Sequence, residues 1–462
     1  MSRLNVVFFL TIYIALLISA FVLPGTGGDG DSVSHYLYAK HAFDHPELFF
    51  NHWAKPLFVL LTSPFAQLGF IGVKIMNVSL SMGAMFILFM LAKYERFKYP
   101  LILPLFYLLF PLNLVLMFSG LTEPMFAFFL ILAVFFALKK KLILATLLIS
   151  LLPFIRSEGL IVILVFGAYL VFIKKWRMLP LLLAGHLVYG LAGLVQYDTI
   201  LWTFTEIPYT DQGGYGHGRL QDFIFKLLYV LGVPLYLMFW LGIVSACRQL
   251  IQTRLKSNIE SNALVLGLVM AYVSAHSLFW WLGLFHSMGL NRVLIAIGPL
   301  LAILSYKGFI LVYNAIPVPL AKKIWFAVAV GYALIFPFTS NPAGIKLKDF
   351  YLSETQVAMD ALAKEMVLTT DSSRLYYHAP YLSVAFNRDP FDSRLSPRTM
   401  DSFINGSDAH GALVWDWWFS EKEGGLSLAY LKGHQNLKEV NRVIGENGQP
   451  LLVIFEKHSL ER

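Results

Sequence analysis

Cysteine is almost missing from this 462-residue chain, where Cys247 stands alone. A single thiol excludes an internal disulfide framework and a Cys-rich zinc or iron–sulfur centre. Charge is scarce as well: Asp, Glu, Lys and Arg make up 14% of the residues, against about 25% in a soluble domain. That shortage excludes a single soluble globule of this size. A hydrophobic content of 57% excludes an intrinsically disordered chain. Repeats of solenoid period and low-complexity tracts are also missing. What the sequence has instead is a series of apolar runs close to the ~20 residues that a membrane-crossing helix needs.

Eleven such stretches fall at roughly 5–24, 70–92, 100–118, 123–138, 142–155, 159–173, 178–198, 223–246, 262–284, 292–313 and 323–340. The first reads as a retained helix, because Leu23-Pro24-Gly25 is a poor small-x-small cleavage site. Lys and Arg then set the orientation. With the N-terminus inside, the inner loops hold Lys93, Arg96, Lys98, Lys139, Lys140, Lys141, Lys174, Lys175, Arg177, Arg248, Arg254, Lys256, Lys322 and Lys323. The outer short loops hold mainly Lys40, Lys55, Arg156, Arg219 and Arg292. An odd number of spans puts the C-terminus outside. The expected organisation is an all-α polytopic membrane domain over 1–340, followed by an extracytoplasmic domain over 341–462. The latter is polar and long enough for a soluble α/β domain. It has a strand-like run at 451–455 and helix-like stretches at 353–367 and 426–444.

The first outer loop, 25–56, is the most informative segment. A Gly-rich turn carries Asp29 and Asp31 directly at the mouth of the first span. Asp31 stands where an N-cap belongs, ahead of a helical stretch 32–43, and His35 lies one turn on along the same face. Val33, Tyr36, Leu37 and Phe43 give that helix an apolar face suited to a membrane surface. Residues 57–68 read as a second shallow segment. Two carboxylates at this place suit a general base, a group that orients a hydroxyl, or ligands for a divalent cation such as Mg or Mn. The plainer alternative is a turn residue and a helix cap. His41 and His45 have the spacing of a helical metal pair, but Pro46 ends the helix and no third ligand is evident, so a solvated face is expected.

The stretch Asp29-Gly30-Asp31 followed by His35-Tyr36-Leu37-Tyr38-Ala39-Lys40 resembles the GT-C glycosyltransferases, multi-span enzymes that use lipid-phosphate sugars. Leu121-Thr122-Glu123-Pro124, Arg156-Ser157-Glu158-Gly159 and Gly289-Leu290-Asn291-Arg292 echo the family at later outer turns. The flavour is that of the branch with protein mannosyltransferases and lipid A aminoarabinose transferases. The resemblance implies a GT-C-like core of about eleven helices. It implies inverting transfer of a sugar from a polyprenyl-phosphate donor to an extracytoplasmic acceptor that is protein, lipid or glycan. Asp31 takes the role of catalytic base, with Asp29 assisting, and a divalent cation held by this pair is compatible with the family. A membrane-lipid environment, a bacterial inner membrane and no nucleic-acid partner go with it.

Such chemistry also needs cations at the leaving phosphate and a groove for the lipid. Arg292, at the outer end of the tenth span, and Arg219, closing the Gly-rich run 212–219, are the expected phosphate groups. Snorkelling to lipid headgroups is their plainer reading. His35, His217, Glu123, Arg156 and Glu158 are expected at the substrate, with a simple Arg156–Glu158 pair as the alternative. Asp416-Trp417-Trp418 reads as core of the tail domain, with sugar stacking as its alternative. Two other functions compete. A transporter or flippase carries ionisable groups at mid-membrane and repeated halves, neither of which is seen. An O-antigen ligase or polymerase places its main outer loop late in the chain.

Overall fold

A computed structural model of the chain describes residues 2–209, 215–253, 260–369, 375–392, 400–405 and 411–457. Arg254, Lys256 and residues 212–214 of the Gly-rich run therefore lie outside the described residues. Helices α1 (Arg3–Val22), α2 (Asp31–His41), α3 (Pro56–Ala66) and α4 (Phe70–Tyr94) come first. The short pair α5 (Ile102–Leu108) and α6 (Pro111–Leu116) follows, then α7 (Glu123–Leu138), α8 (Leu142–Leu151) and α9 (Gly159–Phe172). Next are α10 (Ala184–Ala192), α11 (Leu194–Tyr197), α12 (Trp202–Thr205), α13 (Asp222–Leu231), α14 (Val233–Gln252), α15 (Val265–Leu282), α16 (Gly298–Ala315) and α17 (Pro319–Ile335).

Six helical stretches among the described residues are long and apolar enough to cross a membrane: Arg3–Val22, Phe70–Tyr94, Val233–Gln252, Glu260–Leu282, Asn291–Ala315 and Pro319–Phe338. Shorter apolar helices cover 56–66, 123–138, 142–154 and 159–172. The protein is an integral membrane protein with an all-α core. Several expected spans are interrupted. The run at 100–118 breaks ahead of Pro111, which has no N–H to continue the helix. The run at 223–246 breaks at Gly232, whose φ of +73° is open only to glycine without strain. Gly242 and Gly308 have the opposite task. A Cβ on either would lie 1.8 Å from a carbonyl oxygen of the facing helix, so their absence of side chain lets α14 and α16 touch backbone to backbone.

Helix α2 starts one residue earlier than expected. Gly30 is its N-cap and Asp31 its first residue, so the Asp31 carboxylate is not used as a cap. Ser32, Val33, His35, Tyr36, Leu37, Ala39 and His41 are all buried. The helix is wedged between the core and the C-terminal domain, and only Phe43 of its expected apolar face is exposed.

The C-terminal part contains α18 (Glu354–Thr369), β1 (Leu375–Tyr377), α19 (Pro380–Ala385), α20 (Met400–Asn405), β2 (Ala412–Asp416), α21 (Leu428–Gly433), β3 (Leu437–Ile444) and β4 (Pro450–Lys457). The sheet order is β1-β2-β4-β3, with β1 parallel to β2 and the other pairs antiparallel. The strand at 451–455 and the helix at 353–367 are found where the sequence placed them. The helix expected over 426–444 is not. Only α21 forms there, and 437–444 becomes a bulged edge strand with Lys438, Glu439 and Arg442 on it. Leu437, Val440 and Val443 recur at a spacing of three, which imitates a helix; in the extended chain Val440 is the extra residue of a bulge in β3, and a second register shift skips Leu451 of β4.

This domain sits at the Asp31 end of the core. Ser353 Oγ donates to Asp29 at 2.9 Å and Gln356 Nε2 to Thr26 at 2.8 Å. Asp389 lies 2.6 Å from His45 Nε2 and 3.5 Å from His41 Nδ1. The two histidines thus pin the first loop to the C-terminal domain instead of forming the solvated face expected from sequence.

Candidate active site

The start of α2 and the start of α7 are tied together by backbone contacts. Ser32 Oγ donates to the Thr26 carbonyl and accepts from Gly120 N–H, the latter at 2.7 Å. Asn77, fully buried on α4, donates to the carbonyls of Ser119 and Leu121 at 2.7 and 3.0 Å. This knot fixes Asp31 and Glu123 relative to each other.

From there a chain of ion pairs runs through the site. Arg292 donates to Asp31, and its Nε lies 3.7 Å from Glu123. Glu123 is 2.9 Å from Arg156 Nη1, which also donates to Thr122 Oγ1 at 2.9 Å. Arg156 Nη2 reaches Glu158 at 2.7 Å, and His276 Nε2 stands 3.8 Å beyond. Glu123 is fully buried at the N-terminus of α7, where the helix dipole favours its charge. Of the residues expected from sequence, Asp31, Arg292, Glu123, Arg156 and Glu158 therefore meet in one place. Arg156 and Glu158 do pair, as the plainer reading had it, but as links in this longer chain.

Asp31 marks the open end. Its side chain is 47% exposed. Burial raises its pKa, but the charge of Arg292 outweighs that and holds the carboxyl below the usual range. His35 is buried beside it and stacks on Trp53 with ring centroids 4.9 Å apart. Burial lowers the His35 pKa to about 3, so its ring is neutral at ordinary pH. At the closed end, burial raises the Glu158 carboxyl, yet Arg156 prevails and brings it to about 2.

Lys55 is the residue that sequence reasoning left among the outer-loop charges without a role. Its Nζ donates to Ser157 Oγ at 2.8 Å, within the field of Arg156 and Glu158. Burial brings its pKa down to about 8. Its φ of +71° is strained for a side chain with a Cβ, and such strain concentrates at functional sites. The signal in the sequence was a lysine directly before Pro56 in the informative loop.

Other expected residues stand apart. Asp29 turns to Ser353, and burial raises its pKa. The two carboxylates are thus committed to different partners, a hydroxyl and a guanidinium, and do not fit a shared divalent cation. Among the described residues no group of three or more His, Cys, Asp or Glu has the arrangement to hold one. His217 and Arg219 are exposed, and the backbone N–H of Arg219 bonds Asp222 at 2.9 Å. Trp417 and Trp418 are 49% and 38% exposed, so they are not core. Asp416 is buried and holds their turn by accepting from Phe419 N–H at 2.8 Å.

No protein-family model matches the chain, and no curated protein matches it by sequence. Two solved structures do match. A crystal structure of ArnT from Cupriavidus metallidurans bound to undecaprenyl phosphate aligns with a TM-score of 0.66 at 12% identity, over 100% of this chain and 99% of that one. The same protein in its apo state aligns with a TM-score of 0.62 at 12% identity, over 98% and 97%. At that identity the likeness is one of fold, and the fold of this chain is GT-C-like.

Proposed function

We propose that the protein is a membrane glycosyltransferase that moves a sugar from a polyprenyl-phosphate donor to an acceptor hydroxyl, with inversion. The observation that carries this reading is the ionic chain from Asp31 through Arg292, Glu123 and Arg156 to Glu158. It lies at one end of a helical core, in a fold shared with a protein that binds undecaprenyl phosphate. Three cations, Arg292, Arg156 and Lys55, stand there against three carboxylates, Asp31, Glu123 and Glu158. An arriving phosphate is therefore not repelled by net negative charge.

The residues divide the work. Arg292 and Lys55 hold the donor phosphate by charge-assisted hydrogen bonds. Glu123 and Arg156 orient Arg292 from behind. When the phosphate draws Arg292 away, Asp31 loses its counter-ion and becomes a better base. The acceptor oxygen attacks the anomeric carbon as the bond from that carbon to the phosphate oxygen breaks. The acceptor proton passes to Asp31, and the polyprenyl phosphate departs with the bonding electron pair. Base catalysis of this kind contributes about 10²- to 10⁴-fold. In this reading residues 1–340 form the membrane domain, 341–462 lie outside the cytoplasm with the first loop, and the N-terminus is inside.

The test is release of lipid phosphate from a panel of radiolabelled polyprenyl-phosphate sugars by purified wild type and Asp31→Asn. Turnover of a donor by wild type and its loss in a folded mutant is the expected result. Full turnover by Asp31→Asn rejects this assignment of the base.

A further inference from the structure

A second polar feature lies at the same mouth, on residues that the ionic chain does not use. The π-helical turn Trp417–Glu423 of the C-terminal domain folds over the start of α2, and the ring of Phe419 lies 3.4 Å from the place a Cβ on Gly30 would take. The turn ends in Glu423, which lies near the Trp418 indole and the Tyr215 hydroxyl and within the field of Asp31. From the facing side, Tyr209 accepts from Trp53 Nε1 at 2.5 Å. Tyr209 and Tyr215 both pack on His286, at centroid separations of 4.8 and 6.0 Å. Tyr209 and Tyr215 remain 44% and 40% exposed. Exposed aromatic side chains of Tyr209, Tyr215 and Trp418 thus stand near two carboxylates, Asp31 and Glu423.

An aromatic face takes up the C–H face of a sugar ring, and a carboxylate takes its hydroxyl or ammonium hydrogens. An amino sugar gains further from the π faces. We propose that Trp418 and Glu423 of the C-terminal domain hold a sugar ring against Asp31: the ring lies on Trp418, and one of its hydroxyl or amino groups donates to Glu423. This rests on the transferase reading and names which part of the molecule recognises the carbohydrate. The ring belongs to the donor or to a glycan acceptor, and the chemistry is the same for both.

The experiment compares wild type, Glu423→Gln and Trp418→Ala, all checked for an unchanged melting temperature. Binding is measured for polyprenyl phosphate without a sugar, for polyprenyl-phosphate glucose and for a polyprenyl-phosphate amino sugar, and the acceptor KM is measured once turnover is in hand. The variants are expected to bind bare polyprenyl phosphate as wild type does and to bind a sugar-bearing lipid about tenfold more weakly, the size of one charge-assisted hydrogen bond. That result assigns the ring to the donor. Unchanged binding of all lipids with an acceptor KM about tenfold higher assigns it to the acceptor. Wild-type values throughout overturn this inference and leave the transferase reading standing. Wild type that binds no lipid phosphate rejects the transferase reading, and this inference with it.

Discussion

Helix α7 separates two polar clusters, and they differ in kind. At its N-terminus lies the chain Asp31–Arg292–Glu123–Arg156–Glu158. Some 16 residues on, a rise of about 24 Å, Lys140 pairs with Glu260. Glu260 also accepts from the Tyr169 hydroxyl at 2.7 Å. Nearby, Lys307 donates to the Ser261 carbonyl at 2.5 Å and to Asn262 Oδ1. Both clusters take charge out of water. In the second, the buried Glu260 and Lys307 each have their partners within the cluster, and the end that reaches water is the Lys140 ammonium, 67% exposed. The first ends in a half-exposed carboxylate and a strained lysine. A lysine reaches water on its own long stem, whereas the half-exposed Asp31 carboxylate is held in place by Arg292. That difference separates a site from a support, and it can be attacked by mutation.

The sharpest attack is on the open end. Asp31→Asn is expected to lower kcat by about 10²- to 10⁴-fold and to leave thermal unfolding in detergent nearly unchanged. Glu260→Gln is expected to leave kcat per folded molecule at the wild-type value. Equal losses of kcat in both would erase the distinction.

Arg156→Met strikes the closed part of the first chain, where Glu158 would lose its guanidinium and the buried Glu123 would keep only Arg292 at 3.7 Å. Removing one member of a buried pair costs about 3–5 kcal/mol, so a large fall in melting temperature is expected. Adding Glu158→Gln to that variant should restore part of the loss.

Lys307→Met removes the donor to Ser261 and Asn262, at a cost of about 1–3 kcal/mol. Differential scanning calorimetry should register it, while donor KM stays as in wild type.

The smallest effect concerns the latch between the first loop and the C-terminal domain. The hydrogen bond to Asp389 raises the His45 pKa. A raised histidine stabilises the contact fully below its ordinary value, about 6.5, and the contribution fades as pH rises through the folded-state value. Proteolysis at the 387–391 contact should therefore quicken from pH 6 towards pH 8, and His45→Gln should flatten that profile.

Much of the helical core was legible because apolar runs and caps are local properties. Asp31, Glu123, Arg156, Glu158 and Arg292 stood out for a related reason, since charge at the end of an apolar helix is costly and conspicuous. Their connection was not legible: Asp31 and Arg292 are 261 residues apart, and they meet through the tie of α2 to Gly120 and the packing of α7 against the turn at Asn291–Ile297. Arg219 looked equivalent to Arg292 by composition, yet its loop carries it outward. Lys55 was hidden because its burial comes from Ser157 and its neighbours, not from its own loop. Glu423 lies in an unremarkable polar stretch, and nothing local announces that a fold of the tail brings it to α2.

The most direct test is polyprenyl phosphate binding by Arg292→Gln and Lys307→Gln, measured side by side with wild type. The account predicts at least a tenfold loss for Arg292→Gln, one charge-assisted hydrogen bond or more, and wild-type affinity for Lys307→Gln. Wild-type affinity in Arg292→Gln, or an equal loss in both variants, would contradict it.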